Sequence, residues 1–199
     1  MSVLGGLLEG LRRGTIVVVD LTAPLSEATP VIKLPPERGQ PWSFERQLIS
    51  WYDADGPEVF WSNLMLCEHT GTHFDAPVHW LSGKDLDDVS QVPAHRLVAP
   101  AAVIDCSAEA ARDPDFLLER SHVEAWQSRH GPLPEGGWLL YRTGWDQRLA
   151  DPDAFLNAGH TPGVSPGCAR WLAEETPVIG LGVETVGTDA GQAALFEGS

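Results

Sequence analysis

The sequence predicts a single mixed α/β domain spanning residues 1–199. Apolar runs typical of strands alternate along the chain with segments that carry helix start and stop signals, a pattern typical of α/β folds. A hydrophobic fraction of 43% and eight tryptophans are sufficient for a packed core in a chain of 199 residues. We therefore expect one compact unit rather than a disordered chain.

Four short apolar runs, rich in β-branched and aromatic residues, predict buried strands. They are residues 15–20 (TIVVVD), 101–105 (AAVID), 137–145 (GWLLYRTGW) and 177–183 (PVIGLGV). Residues 23–40 contain four prolines and predict an extended loop, because proline cannot donate a backbone hydrogen bond.

Helix boundaries are indicated by capping residues. Gly14 follows a basic pair and predicts the end of an N-terminal helix. Ser121 and Glu124 form a capping-box pattern that predicts a helix start. Ser165 followed by Pro166 predicts a third start, with serine as N-cap and proline at the first helical position.

Charge and cysteine content exclude several classes of function. The net charge of −15 argues against binding to nucleic acid or to an anionic membrane. The three cysteines, Cys67, Cys106 and Cys168, are odd in number and widely spaced, which predicts free thiols in a reducing compartment. The N-terminus lacks a signal-peptide pattern and no apolar run approaches the roughly 18 residues of a membrane helix. We expect a cytoplasmic protein.

The segment 67–80 (CEHTGTHFDAPVHW) concentrates histidines. It holds three of the seven in the chain, together with Asp75. In a straight strand His69 and Asp75 would lie about 20 Å apart. Metal–ligand bonds are only about 2 Å long. We therefore predict a sharp bend at Gly71 that gathers His69, His73 and Asp75 around one point.

Two imidazoles and one carboxylate suit Zn²⁺ or Mn²⁺ and leave positions open for water and substrate. His79 follows Pro77, beyond easy reach of the same ion, and is predicted to act as a general base or acid beside it. Glu68 is predicted to be a neighbour rather than a ligand, because its side chain points to the other side of an extended chain.

Three aromatic residues flank the ligand segment. Phe60, Trp61 and Trp80 are predicted to wall a flat aromatic substrate, with ordinary core packing as the alternative.

The motif HTGTHFDAPVH (residues 69–79) resembles the His-x-Gly-Thr-His-x-Asp-x-Pro-x-His signature of the metal-dependent cyclase family, the kynurenine formamidase-like hydrolases. The segments DGPEVFW, RTGWDQR and GTDAGQA are similar to the isatin hydrolase branch of that family. The resemblance extends over nearly the whole chain.

The resemblance implies a mixed, barrel-like β-sheet with flanking helices and a homodimeric or larger assembly. It implies that His69, His73 and Asp75 bind the metal, that His79 is catalytic, and that Gln192 approaches the substrate pocket. The metal is Mn²⁺ in isatin hydrolases and commonly Zn²⁺ in kynurenine formamidases.

The expected function is metal-dependent hydrolysis of a cyclic amide or N-acyl amide of a small aromatic substrate, with an isatin-like lactam opened to a carboxylate. Arylformamides, as in kynurenine formamidases, and lactones are alternatives. In kynurenine formamidases a later histidine and glutamate complete a second metal site. Glu184 and Glu197 do not match those positions, so we expect a C-terminally incomplete domain. A catalytically impaired metal-binding fragment is therefore a second hypothesis.

Overall fold

The computed structural model describes residues 2–196, so Glu197 lies outside the described part of the chain. Five α-helices and seven strands, joined by short 3₁₀ turns, make up this part. The helices are α1 (Val3–Arg13), α2 (Ser107–Arg112), α3 (Arg120–His130), α4 (Pro152–Leu156) and α5 (Pro166–Glu175). The strands are β1 (Glu45–Trp51), β2 (Phe60–Met65), β3 (Ala101–Asp105), β4 (Leu117–Leu118), β5 (Trp138–Arg142), β6 (Gly163–Val164) and β7 (Gly180–Val183).

A three-stranded parallel sheet in the order β3–β5–β7 organises the fold. Ala101 of β3 pairs with Trp138 of β5, and Trp138 pairs in turn with Gly180 of β7. Parallel neighbours require crossover connections, and helices α2, α3 and α5 lie in these connections. The three strands lie within residues 101–105, 137–145 and 177–183, so these predicted strands are confirmed.

The hydrophobic core lies on one face of this sheet. Burial alternates along β3 and β5, so Ile104, Leu139 and Tyr141 point inward, where they meet Val123 of α3 and Leu172 of α5. Each fully buried aliphatic or aromatic side chain contributes about 1.5–3 kcal/mol relative to exposure. On the opposite face, a Cβ at Gly180 or Gly182 would overlap the side chain across from it on β5. Because Gly180 and Gly182 have no side chains, Trp138 and Leu140 of β5 have room to pack over β7.

The antiparallel hairpin β1–β2 stands apart from the parallel sheet and precedes the histidine-rich segment. Its register pairs Glu45 with Met65 and Trp51 with Phe60, with an irregularity between Leu48 and Ser50. Strand β2 ends at Met65 and the chain continues directly toward His69. A second small pair, β4–β6, is parallel.

Two of the three predicted caps are confirmed. Gly14 ends α1 with φ +70°, and the Ser165 hydroxyl accepts a hydrogen bond from the backbone N–H of Cys168 at the start of α5. The predicted start at Ser121 is wrong, because α3 begins at Arg120 with Glu119 as its cap. The Glu119 carboxylate accepts the backbone N–H of His122, and the His122 ring accepts the backbone N–H of Glu119 over 2.9 Å, so these two residues form the capping box.

The strand predicted over residues 15–20 does not form. Val17, Val18 and Val19 have no regular secondary structure and are largely exposed, at 74%, 80% and 68%. A β-branched run becomes a strand only when another strand pairs with it, and no strand of residues 2–196 pairs with this one.

The mixed α/β class is confirmed, with parallel and antiparallel strands and helices flanking the parallel sheet. The strands do not form the barrel-like sheet that was expected. Residues 2–196 contain three separate small sheets and no closed barrel. Within these residues, none of the helices has both the length and the apolar character that a membrane crossing requires.

Candidate metal centre

The histidine-rich segment folds back on itself. The N–H of Thr70 donates to the carbonyl of Cys67 over 3.1 Å, and Gly71 follows in the left-handed conformation with φ +71°. Only glycine adopts this conformation without steric cost. The predicted bend at Gly71 is therefore present.

The bend brings His69 and Asp75 into contact. Nδ1 of His69 lies 2.7 Å from Oδ1 of Asp75, and the two side chains are 29% and 32% exposed. The pair is sheltered yet reachable, as a metal that exchanges water and substrate requires. Glu68 lies beside it with its carboxylate 3.6 Å from Nε2 of His69 and its side chain 87% exposed. The structure thus places Glu68 as a neighbour of the pair.

His73 contacts the same carboxylate. Its Nδ1 lies 2.7 Å from the carbonyl oxygen of Gly71, so that nitrogen carries the proton and donates it. The other ring nitrogen, Nε2, lies 3.3 Å from Oδ1 of Asp75. Metal-bound histidines commonly donate their other ring N–H to a backbone carbonyl or carboxylate. His73 therefore has the orientation of a ligand that binds through Nε2.

His79 lies closer to the other groups than the sequence suggested. His69, Asp75 and His79 each offer a ligand atom, and these three atoms all lie within 4.8 Å of one another. Ligands at about 2 Å from a shared ion have comparable separations. The expectation that His79 lies too far from the other two side chains to reach the same ion is therefore wrong. The cause is a 3₁₀ turn over Pro77–His79, in which His79 donates its N–H to Ala76 and the chain turns back.

Packing against the parallel sheet holds this segment in place. Phe74, between His73 and Asp75 in sequence, packs edge-on against Trp138 of β5 with ring centroids 6.1 Å apart. The indole N–H of Trp138 donates to the carbonyl of Arg96 over 2.9 Å. The side chain between two predicted ligands is thus anchored to the parallel sheet. This contact could not be predicted from the sequence, because no residue near Phe74 indicates that Trp138 is its partner.

The four predicted substrate-binding residues occupy different surroundings. Trp80 lies beside the cluster of His69, Asp75 and His79, with its ring 4.9 Å from that of His79, and is 47% exposed. Phe60 packs against Trp51 across the hairpin, with ring centroids 4.4 Å apart, and Trp61 is exposed on β2. Gln192 donates to the carbonyl of Gly159 over 2.8 Å. Of the four, Trp80 is the one that the structure brings to the cluster.

Glu184 has a structural environment rather than a metal-binding one. Its Oε2 accepts hydrogen bonds from the backbone N–H groups of Thr143, Gly144 and Trp145, at 2.7, 2.6 and 3.3 Å. The carboxylate thereby ties the end of β7 to the turn that follows β5. The ring of His160 is engaged elsewhere, with its Nδ1 2.8 Å from a carboxylate oxygen of Asp115.

Residues 19–190 match the model of the Cyclase family, described as "Putative cyclase". The chain belongs to this family. It is 45% identical to the isatin hydrolase of Roseibium aggregatum over 98% of this chain and 77% of that protein. It is 28% identical to the kynurenine formamidase of Salinibacter ruber over 88% of this chain and 69% of that protein.

The fold agrees with a solved member of the cyclase family. The crystal structure of an isatin hydrolase bound to the product analogue thioisatinate superposes with a TM-score of 0.94 at 43% sequence identity, covering 99% of this chain and 79% of that one. The family and the fold class predicted from the sequence are therefore confirmed.

Proposed function

We propose that this chain hydrolyses isatin to isatinate. The reaction breaks the ring C–N bond of the cyclic amide: the hydroxyl of water bonds to the carbonyl carbon and a proton goes to the nitrogen. The observation that carries the proposal is the 45% identity to an isatin hydrolase, which extends over 98% of the chain. The predicted enzyme class, a hydrolase of carbon–nitrogen bonds other than peptide bonds, is confirmed by this relationship.

The proposed metal ligands are His69, His73 and Asp75, holding Mn²⁺ or Zn²⁺. Support comes from the donor chemistry, since imidazole nitrogens and a carboxylate suit both ions. It also comes from the geometry, with the carboxylate of Asp75 2.7 Å from His69 and 3.3 Å from His73. When bound, the ion supplies a Lewis acid for the amide carbonyl and lowers the pKa of a water molecule.

His79 is the proposed general base and acid. The centroid of its ring lies 4.1 Å from that of His69, so His79 is adjacent to a proposed metal ligand. A proton that His79 accepts from water is therefore held close to the reacting atoms. Imidazole can both accept the proton of water and return one to the leaving nitrogen near neutral pH. Trp80, adjacent to His79, offers an exposed aromatic face on which a flat bicyclic substrate can stack.

Phe60, Trp61 and Gln192 are proposed as further substrate contacts. Phe60 and Trp61 are 40% and 57% exposed on β2, which leads directly to the ligand segment. Exposed aromatic faces can stack on a planar substrate, while an amide such as Gln192 can bond its carbonyl or carboxylate.

The activity is tested with protein loaded with Mn²⁺ and, separately, with Zn²⁺. Isatin, N-formylkynurenine and a small aromatic lactone are offered, and ring opening or deformylation is followed spectroscopically. We expect isatin to have the highest kcat/KM. A preference for N-formylkynurenine would instead assign the activity of the more distant relative. Metal uptake with no turnover on any of the three would support the second hypothesis, a metal-binding fragment without catalysis.

The division of roles between His73 and His79 is tested by two alanine variants, because the structure places both near Asp75. We expect His73→Ala to lose bound metal and turnover together. His79→Ala is expected to retain the metal and lose turnover. The opposite result, metal lost with His79→Ala and kept with His73→Ala, would transfer the ligand role to His79.

We further propose a cytoplasmic location and a homodimer or larger homo-oligomer. The thiols Cys67, Cys106 and Cys168 are all free, which suits a reducing compartment. The assembly is measured by light scattering coupled to gel filtration, where a single-chain mass would contradict it.

A further inference from the structure

We infer that Thr72 is a positioning residue, and that the loop of residues 22–29 holds the ligand bend in its metal-binding shape. The inference rests on the metal site of the proposed function. Thr72 is not proposed as a ligand, since its hydroxyl oxygen is engaged by the N–H of Ala23.

A hydrogen bond joins the loop to the bend. The N–H of Ala23 donates to the Thr72 hydroxyl oxygen over 2.9 Å, across 49 positions in sequence. Thr72 lies directly between Gly71, where the chain bends, and His73. A displacement of Thr72 therefore moves the backbone that carries the His73 ring.

A second contact from the same loop covers the bend itself. A Cβ placed on Gly71 would lie 2.5 Å from Cδ2 of Leu25, so the Leu25 side chain occupies the space that this glycine leaves open. Cγ2 of Thr29, in the same loop, is 4.0 Å from the same point. Two consecutive residues of the bend, Gly71 and Thr72, thus touch one loop.

The loop is braced by its own hydrogen bonds. The N–H of Ser26 donates to the Thr29 hydroxyl over 2.8 Å, and the N–H of Thr29 donates back to the Ser26 carbonyl over 2.9 Å. This closed turn limits the conformations open to Leu25. The loop therefore supports the bend as a preformed element.

Loss of these contacts between the loop and the bend is expected to weaken metal binding. Residues that orient ligands without touching the ion typically change its affinity about 10–100-fold when replaced. Thr72→Val keeps the shape of the side chain and removes its acceptor, while Thr72→Ser keeps the acceptor. Leu25→Ala removes the apolar contact without altering the bend itself.

The test measures the Kd for Mn²⁺ and Zn²⁺ by competition with a chromogenic chelator, using the full chain, with the melting temperature recorded in chelator for every variant. We expect about a tenfold rise in Kd for Thr72→Val, recovery to within about threefold of the unsubstituted chain for Thr72→Ser, and a smaller rise for Leu25→Ala.

Thr176→Val and Leu21→Ala are matched controls. Thr176 donates its hydroxyl to the Leu172 carbonyl over 2.6 Å on another element, and Leu21 is 78% exposed in the same N-terminal region.

A Kd for Thr72→Val within twofold of that of the unsubstituted chain would overturn the inference, and so would an equal rise for Thr176→Val. If Thr72→Val does not fold, Leu25→Ala decides, and an unchanged Kd there overturns the inference. Failure of the proposed function looks different, because the unsubstituted chain would then bind no metal or would bind metal without hydrolysing isatin.

Discussion

Nδ1 of His69 lies 2.7 Å from Oδ1 of Asp75, although six positions separate the two residues. An extended chain cannot make this contact, since six residues span about 20 Å. The contact exists because Gly71 takes up the left-handed conformation between them. The backbone at one glycine thus determines whether the two side chains can share a metal ion.

Replacing Asp75 with asparagine tests its place at the centre of the cluster. The amide keeps the size of the side chain and removes the negative charge that is proposed to hold a divalent cation. We expect metal affinity to fall by at least about 100-fold, measured by titration with Mn²⁺. Asp55→Asn, an exposed carboxylate in the turn between β1 and β2, is the control and should bind metal normally. Equal affinity in the two variants would remove Asp75 from the site.

Gly71→Ala tests the bend. A side chain at φ +71° costs about 1–2 kcal/mol, and the new Cβ would also displace Leu25. We expect lower stability in urea together with weaker metal binding. Gly14→Ala is the matched control, because Gly14 has φ +70° in the left-handed α region with open space around it. It should lose similar stability from strain and keep its metal affinity. A loss of metal affinity in the control as well would mean that global destabilisation, not the bend, is responsible.

Glu184→Ala tests the link between β5 and β7. The change leaves the N–H groups of Thr143, Gly144 and Trp145 without their shared acceptor. We expect the free energy of unfolding to fall by about 2–3 kcal/mol, from urea titrations followed by tryptophan fluorescence. Glu174→Ala, an exposed carboxylate near the end of α5, should change it by less than about 0.5 kcal/mol. Equal stability for the two variants would argue against a structural role for Glu184.

Because two thiols are buried, we expect the protein to lose stability in alkaline solution. Burial raises the pKa of Cys106 and of Cys168 to about 11, above the ordinary thiol value of 9.0. The folded chain then keeps protons that the unfolded chain releases. The stabilisation is complete below pH 9 and is lost as the pH rises from 9 towards 11. Cys106→Ala should flatten this decline in urea titrations between pH 8 and 11, and an unchanged slope would contradict the assignment.

The central sheet could be predicted because its strands appear in the sequence as short apolar runs, a pattern typical of buried strands. Residues 15–20 carry the same signal and form no strand in the structure. The difference lies in the partner strand, which is a property of the whole fold. A local run of valines cannot indicate whether another strand will lie beside it.

The clustering of His69, His73 and Asp75 was predictable in part, for a physical reason. Ligand chemistry and distance together required a bend, and Gly71 was the residue able to form it. The position of His79 was not predictable, because it depends on a short 3₁₀ turn after Ala76. The contact of Phe74 with Trp138 and the bond from Ala23 to Thr72 join distant parts of the chain. Neither has a local sequence signal.

The most direct test of the whole account is the rate of isatin ring opening by protein stripped of metal with a chelator and then titrated with Mn²⁺. We predict a rate at the uncatalysed background after stripping, and a rise with added metal that saturates at one ion per chain. A rate that survives chelation, or that stays at background while one ion binds, would contradict it.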